Sequence, residues 1–329
     1  MERRRQGWAL GLVVLLGLGG CGGDQAVSAG GTPAAGAGGF GVAQAAEVLA
    51  AFDEGDSAAS TAGDPDALAR YEVAPALDAS LAGIRRAEYH KRTQPKFQHV
   101  DPKFAVPGTD PRCFLASATL RITGEESAYV DFSQFVRTPA GDWKLSHHVQ
   151  VSREAVPSIG DLSASPAVSS TEAVGERSRK ALATELLART TATDSADTSL
   201  VASSPLLDQQ FAAGWTIYQQ QMAAAKLTVE RTMQSAEWSA CAARTPGGTL
   251  TLLTMYVTDR VAPAAGGRGP VVLPAESPDM IALGERKGVR GPAVSVSRVE
   301  VFLLLVPDAE GSPARVLGLS DAPTKVTTS

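Results

Sequence analysis

The sequence predicts an α+β fold in two consecutive domains, each opening with helices and closing with a curved antiparallel sheet. Three observations predict it. Apolar residues recur at helical spacing before residue 92 and again between 172 and 222, and after each block the apolar period switches to two. A stretch rich in Pro, Ser, Ala and Gly, 157–170, lies between the two blocks and reads as a linker. The chain has 329 residues, 44% of them hydrophobic and 20% charged, enough apolar side chain for two ordinary cores.

The first domain is expected over residues 41–156. Val42, Ala45, Ala46, Leu49 and Phe52 share one helical face, and the helix is expected to end near Gly55. Asp64-Pro65-Asp66 has the form of an N-cap followed by proline at the first helical position. Leu77, Leu81 and Ile84 continue a stripe toward Arg92, with Pro75 separating it from Leu68 and Tyr71. Strands follow at Lys96–Val106, Phe114–Thr123, Ser127–Val136 and Trp143–Val151, joined after the second by Gly124-Glu125-Glu126 and after the third by Thr138–Asp142. Strict alternation in the last strand puts Trp143, Leu145, His147, Val149 and Val151 on one face, with Lys144, Ser146, His148 and Gln150 on the other.

The second domain, 171–329, repeats that order. Ser169 and Glu172 have capping-box spacing ahead of a helix through Leu182 and Leu186. Ser204-Pro205 opens another helix that carries Leu207, Phe211, Tyr218 and Met222. Strands are expected at Lys226–Glu237, Thr249–Val261, Ala293–Val306 and Arg315–Leu319, with a long Gly/Pro-rich insertion at 262–292 that reads as mobile or functional. Helices before antiparallel strands, twice over, resembles the cone-shaped NTF2-like and cystatin-like folds in element order alone.

The N-terminus carries an address. Arg3, Arg4 and Arg5 precede the apolar run Trp8–Leu18, too short for a membrane span and suited to a secretory signal. Leu18-Gly19-Gly20-Cys21 resembles the lipobox of a bacterial lipoprotein. That resemblance implies removal of residues 1–20, a lipid such as palmitate on Cys21, and a mature chain held at the extracytoplasmic face of the cell membrane. Residues 21–40 then form a flexible tether. The competing reading is an ordinary signal cut near Thr32-Pro33-Ala34-Ala35, with Cys21 discarded.

Net charge is −5, which argues against a nucleic-acid partner. With Cys21 lipidated, Cys113 and Cys241 remain, either paired as exported thiols often are or buried separately. Gly-x-Ser-x-Gly, Ser-x-x-Lys and His-Glu-x-x-His are all absent, and no catalytic site, metal site or cofactor is expected. His147, on an apolar strand face, and Asp131, on the neighbouring strand, are the candidate pocket pair; the plainer reading of His147 is a hydrogen-bonded core histidine. Arg85, Arg86, Lys91, Arg92 and Lys96 are a candidate contact for anionic envelope polymers or headgroups, or else a solvated face.

Arg86-Ala87-Glu88-Tyr89, the segment Phe97–Phe104 with its Asp101-Pro102, and Trp215-Thr216-Ile217-Tyr218 resemble an actinobacterial family of exported lipoproteins of unknown function. The resemblance implies no activity. The sequence therefore leads to a lipid-anchored envelope protein, a non-enzymatic binding or scaffolding module whose partners are the membrane and other envelope components. The alternative is a small-ligand-binding protein or enzyme with a cone-shaped pocket lined by His147 and Asp131.

Overall fold

In the computed structural model, residues 39–329 are described apart from 109–110, 124, 155, 157–160, 166, 171–173, 175–178, 192–198 and 268. The signal, Cys21, the alternative cut near Thr32, most of the tether, the turn residue Gly124 and the capping partner Glu172 lie outside the described residues. Among the described residues, no helix is long and apolar enough to cross a membrane.

The first half begins with α1 (Val42–Ala62), α2 (Pro65–Leu68) and α3 (Ala76–Tyr89). The Asp64 carboxylate caps α2 as its spacing requires, accepting from the N–H groups of Asp66 and Ala67, each at 3.0 Å. α1 runs past Gly55 because its apolar stripe continues through Ala59 to a left-handed Gly63 at the C-cap. Gly55 is needed for a close approach: a Cβ there would stand 2.0 Å from the Tyr71 ring. Strands β1 (Phe97–Ala105), β2 (Cys113–Ile122), β3 (Glu125–Arg137) and β4 (Trp143–Ser152) form an antiparallel meander beside these helices.

The second half contains β5 (Ala167–Ser169), α4 (Arg179–Thr190), a π-helical segment Leu206–Ala212 that runs into α5 (Ala213–Ala224), and long strands β6 (Leu227–Thr245) and β7 (Gly248–Pro263). Then come β8 (Val271–Leu273), α6 (Pro278–Leu283), β9 (Val289–Gly291), β10 (Val294–Val306) and β11 (Arg315–Thr328). The 262–292 insertion is thus a small folded unit. Val271 and Met280 are wholly buried in it, sealing a cluster with Val261, Val294 and Val296.

Sheet order departs from the expected pair of separate sheets. The nine strands β1-β2-β3-β4-β11-β10-β7-β6-β5 are one antiparallel sheet, and β4 meets β11 where Gly318 pairs with Val151. A Cβ on Gly318 would lie 2.5 Å from Val149 Cγ1 and 2.8 Å from the Gln150 carbonyl oxygen, so the junction depends on glycine. The expected linker also contributes structure: β5 pairs with β6, and Leu162, in a 3-10 turn, is completely buried. Phe40, expected at the end of the tether, packs its ring 4.5 Å from Trp143.

The sheet curls until its ends nearly meet. Leu115, Phe132, Val149 and Val151 from the first half and Leu250, Leu252, Val301 and Leu303 from the second fill one shared core. On the outer side of the first half, Phe52 of α1 packs with Phe114, Phe135 and Leu145; on that of the second, Leu182 and Leu186 of α4 pack on Leu253, Met255 and Phe302. Cys113 on β2 and Cys241 on β6 are joined by a disulfide, with Cα atoms 6.0 Å apart, across strands that are far apart in sheet order.

Candidate functional site

Under the helices of the first half lies a cavity of about 250 Å³. Its apolar wall includes Phe52, Ile84, Leu120, Ile122 and Leu145, and its polar wall Asp56, Glu72, Ser80, His99, Asp131 and His148, with Ser60, Gln94 and Gln150 also on the lining. A larger groove of about 700 Å³ between α1 and β1 shares His99, but much of its lining is surface residues such as Ala50, Glu54, Lys96 and Gln98.

Each polar group arrives by a different element. Asp56 continues the buried α1 stripe Ala45, Leu49, Phe52 and Ala59, an acid where helical periodicity calls for an apolar side chain. Glu72 follows α2 in a parallel bridge to Leu145, and its Oε1 accepts from Ser80 Oγ of α3 at 2.9 Å. His99 alternates with Phe97 on β1 and faces α1, where Asp53 accepts at 2.5 Å from Nδ1 and at 2.8 Å from the His99 backbone N–H. Its Nε2 lies 3.2 Å from Asp131 Oδ2, which also accepts from Ser133 Oγ at 2.5 Å, while His148 Nδ1 lies 3.5 Å from Asp131 Oδ1. A row of alternating charge, Asp53–His99–Asp131–His148, results.

Burial opposes charge on His99, but Asp131 and Asp53 outweigh it and push the imidazole up to about 10. Burial alone would raise Asp131; hydrogen bonds and charge from His148 and His99 instead hold it well below the usual carboxylate range. For His148 too, burial is outweighed by Asp131 and the group is raised. Asp56 and Glu72 lack such compensation. Burial and then the charge of Glu72 push Asp56 up to about 8, and burial pushes Glu72 up to about 7 against the pull of His148 and Ser80. Asp56 Oδ1 and Glu72 Oε2 are buried with no hydrogen-bond partner.

This pattern sets a pH dependence. A carboxyl whose folded value lies above its unfolded one contributes stability that is complete below the unfolded value and is lost as pH rises through the folded value. Asp56 and Glu72 therefore weaken the fold progressively from about pH 4 to pH 8, by up to about 1.4 kcal/mol per pH unit for each proton released. Urea unfolding of Asp56→Asn/Glu72→Gln is expected to show a flatter stability profile between pH 5 and 9, with the variant more stable than the wild type at pH 9. A parallel offset at all pH values would contradict it.

The structure separates the pair expected from the sequence. Asp131 lines the cavity, but His147 points to the opposite face, into the shared core. There its Nε2 lies 2.9 Å from Thr254 Oγ1, and its Nδ1 lies 2.9 Å from Ser146 Oγ and 3.2 Å from Gln134 Nε2. Burial, then the charge of His148, lowers His147 to about 4, so it is a neutral core histidine linking β4 to β7. Register decides this: Asp131 pairs with Gln150 and Ser133 with His148, so His148 shares the Asp131 face, and a β-bulge that leaves Ser146 extra brings Leu145 onto it as well. His147 is thus the hydrogen-bonded core histidine of the plainer reading, and the imidazole that faces Asp131 is His148.

The remaining sequence candidates lie elsewhere. Arg86, Lys91, Arg92 and Lys96 are exposed at the end of α3 and before β1, while half-buried Arg85 donates to the Ala282 carbonyl of α6 at 3.3 Å. Among the described residues, no three His, Cys, Asp or Glu side chains are placed to hold a metal ion.

The second half carries a comparable arrangement beneath α5. Arg231 forks onto Asp259 at 2.6 and 2.8 Å, reaches Glu300 at 2.6 Å, and stands 4.6 Å from the centre of the Trp215 ring. Arg298 bonds Asp259 at 3.0 Å and Asp321 at 2.8 Å, and also pairs with Asp279. Sequence reasoning gave none of these charged residues a functional role, because charges on strand faces read as solvated until a helix is seen to cover them.

A family model described as a domain of unknown function (DUF8094) matches residues 40–328. No curated protein and no solved structure matches the chain.

Proposed function

The chain belongs to the DUF8094 family, whose description names no activity, and from the pocket itself we propose that the protein is a small-molecule-binding module held by a lipid on Cys21 at the extracytoplasmic face of the cell membrane. One observation carries the reading: a cavity of about 250 Å³ has an apolar wall and two buried carboxyl oxygens with no partner. Leaving a buried polar atom unpaired costs about 1–3 kcal/mol, more if it is charged, and a protein that recovers this on binding gains affinity from it. The helices over each half, with a polar cluster beneath both, support two related cone-shaped units of the NTF2-like kind fused through one sheet. Binding without turnover is preferred over catalysis because the imidazoles nearest the cavity are tied up by Asp53 and Asp131.

Ile122 is half-buried on the cavity wall, so Ile122→Trp fills the space with little disturbance of the core. Fragments that raise the melting temperature of the wild type are expected to leave Ile122→Trp unchanged. Equal shifts in both proteins would place binding elsewhere. The anchor is tested separately: Cys21→Ala is expected to move the protein from the membrane fraction to the soluble one, and retention in the membrane would defeat the lipid reading.

A further inference from the structure

We propose that the occupant of this cavity is a small organic cation, an amine or quaternary ammonium on an apolar body, held between Asp56 and Glu72. The proposal rests on the small-molecule reading above and names its ligand class. It starts from what the cavity lacks. Asp56 and Glu72 are 3% and 2% exposed, and each presents one oxygen without a donor. The surrounding charges are already matched: Asp53 and Asp131 take His99 from either side, and Asp131 also faces His148. With both imidazoles protonated that row is neutral, so Asp56 and Glu72 decide the charge the cavity offers.

An unmatched pair of carboxyls calls for N–H donors or fixed positive charge. An anionic ligand would meet two like charges in a low-dielectric site, and a neutral one would leave any charge there unpaired. Ser80 is already used by Glu72, and Ser60, Gln94 and Gln150 are the other uncharged polar side chains on the cavity wall. Beside the carboxyls, Phe52, Ile84, Leu120, Ile122 and Leu145 provide an apolar wall for the ligand body, with Phe52 one turn before Asp56 on α1 and Leu145 bridged to Glu72. A volume of about 250 Å³ lies below the range of about 300–1,000 Å³ for drug-sized ligands, which restricts the ligand to a small amine.

Proton balance follows from the same geometry. In the empty cavity the raised carboxyls hold protons near neutral pH, so an entering cation displaces one of them to solvent. The groups that face this exchange are Asp53 from α1, Ser80 from α3, His99 from β1, Asp131 from β3 and His148 from β4.

The test is isothermal titration of the full mature chain with phenethylamine, 3-phenylpropanol and hydrocinnamate, three probes of similar shape carrying positive, zero and negative charge. Only phenethylamine is expected to bind. Its affinity should rise up to about tenfold per pH unit between pH 6 and 8, where the amine stays protonated, and its heat should vary with buffer ionisation as a proton is released. Asp56→Asn and Glu72→Gln, which keep shape and relieve buried charge, should each weaken binding at least tenfold while circular dichroism is unchanged. Preference for the alcohol or the acid, or cation binding indifferent to both substitutions and to pH, overturns the cation assignment. If the alcohol binds and Ile122→Trp abolishes that binding, the cavity reading stands and the cation falls. If no probe binds in either protein, both fall.

Discussion

Replacing Cys113 and Cys241 together by alanine is expected to lower the unfolding free energy by several kcal/mol. The bond closes a loop across 128 residues, for which chain-entropy reasoning gives about 5 kcal/mol, and measured removals typically fall near 2–5 kcal/mol. Geometry adds to this. The bond links β2 to β6, which are not hydrogen-bonded neighbours, and beside it the Cys241 backbone N–H donates to Gln134 Oε1 at 2.9 Å. Losing the cross-link frees both the unfolded chain and the seam where the curled sheet nearly closes. In urea the double variant should show an earlier midpoint and a steeper slope, because the unlinked chain exposes more surface when unfolded. An unfolding free energy within about 1 kcal/mol of the wild type would mean that the seam is held by packing alone.

Asp131→Ala is expected to cost about 3–5 kcal/mol, the usual loss when one partner leaves a buried ion pair. It takes a partner from two imidazoles at once, since His99 and His148 both point at this carboxylate and only His99 keeps a second one, Asp53. The pH window follows from the shifts. His99 is raised to about 10, so its contribution is complete below its unfolded value near 6.5 and is lost as pH rises through 10. Asp131 is lowered, so its contribution is present above its unfolded value near 3.8 and is lost in acid. The deficit of the variant is therefore expected to be largest between about pH 4 and 6.5 and to shrink toward pH 10. Urea midpoints at pH 5.5 and 9.5 check this, and an equal deficit at both would detach Asp131 from His99.

Much of the local structure was legible. Helices α1 and α3 and strands β1 to β4 follow from the apolar period, and Asp64-Pro65 marks the start of α2. The strands of the second half were placed but cut short. β6 continues to Thr245 and β11 to Thr328 because Ala242, Ala243 and Ala322 are small residues that still bury, and weakly hydrophobic residues leave little period to read. The candidate site was half legible. Asp131 was named from its strand, and Asp56 left a usable sign as an acid inside an apolar helical stripe. His148 was hidden because strict alternation puts apolar Leu145 on the His147 face, whereas the bulge at Ser146 brings Leu145 to the His148 face. Glu72 had no periodic signal at all, because it follows the short helix α2 in an isolated bridge.

By itself, then, the order of residues determined the class of structure, α+β with helices ahead of antiparallel strands, and where most elements begin. Those are properties of short windows, set by side-chain spacing, capping residues and turn chemistry. Tertiary structure alone decided that the two halves share one sheet and one core, that 262–292 folds, and that His148 rather than His147 joins Asp131. Each of these depends on pairing between residues distant in the chain: Gly318 with Val151, Val271 with Gly291, Gln134 with His147. A glycine that lets two backbones approach, or a serine left over between two strands, has no local signature until its partner strand lies beside it.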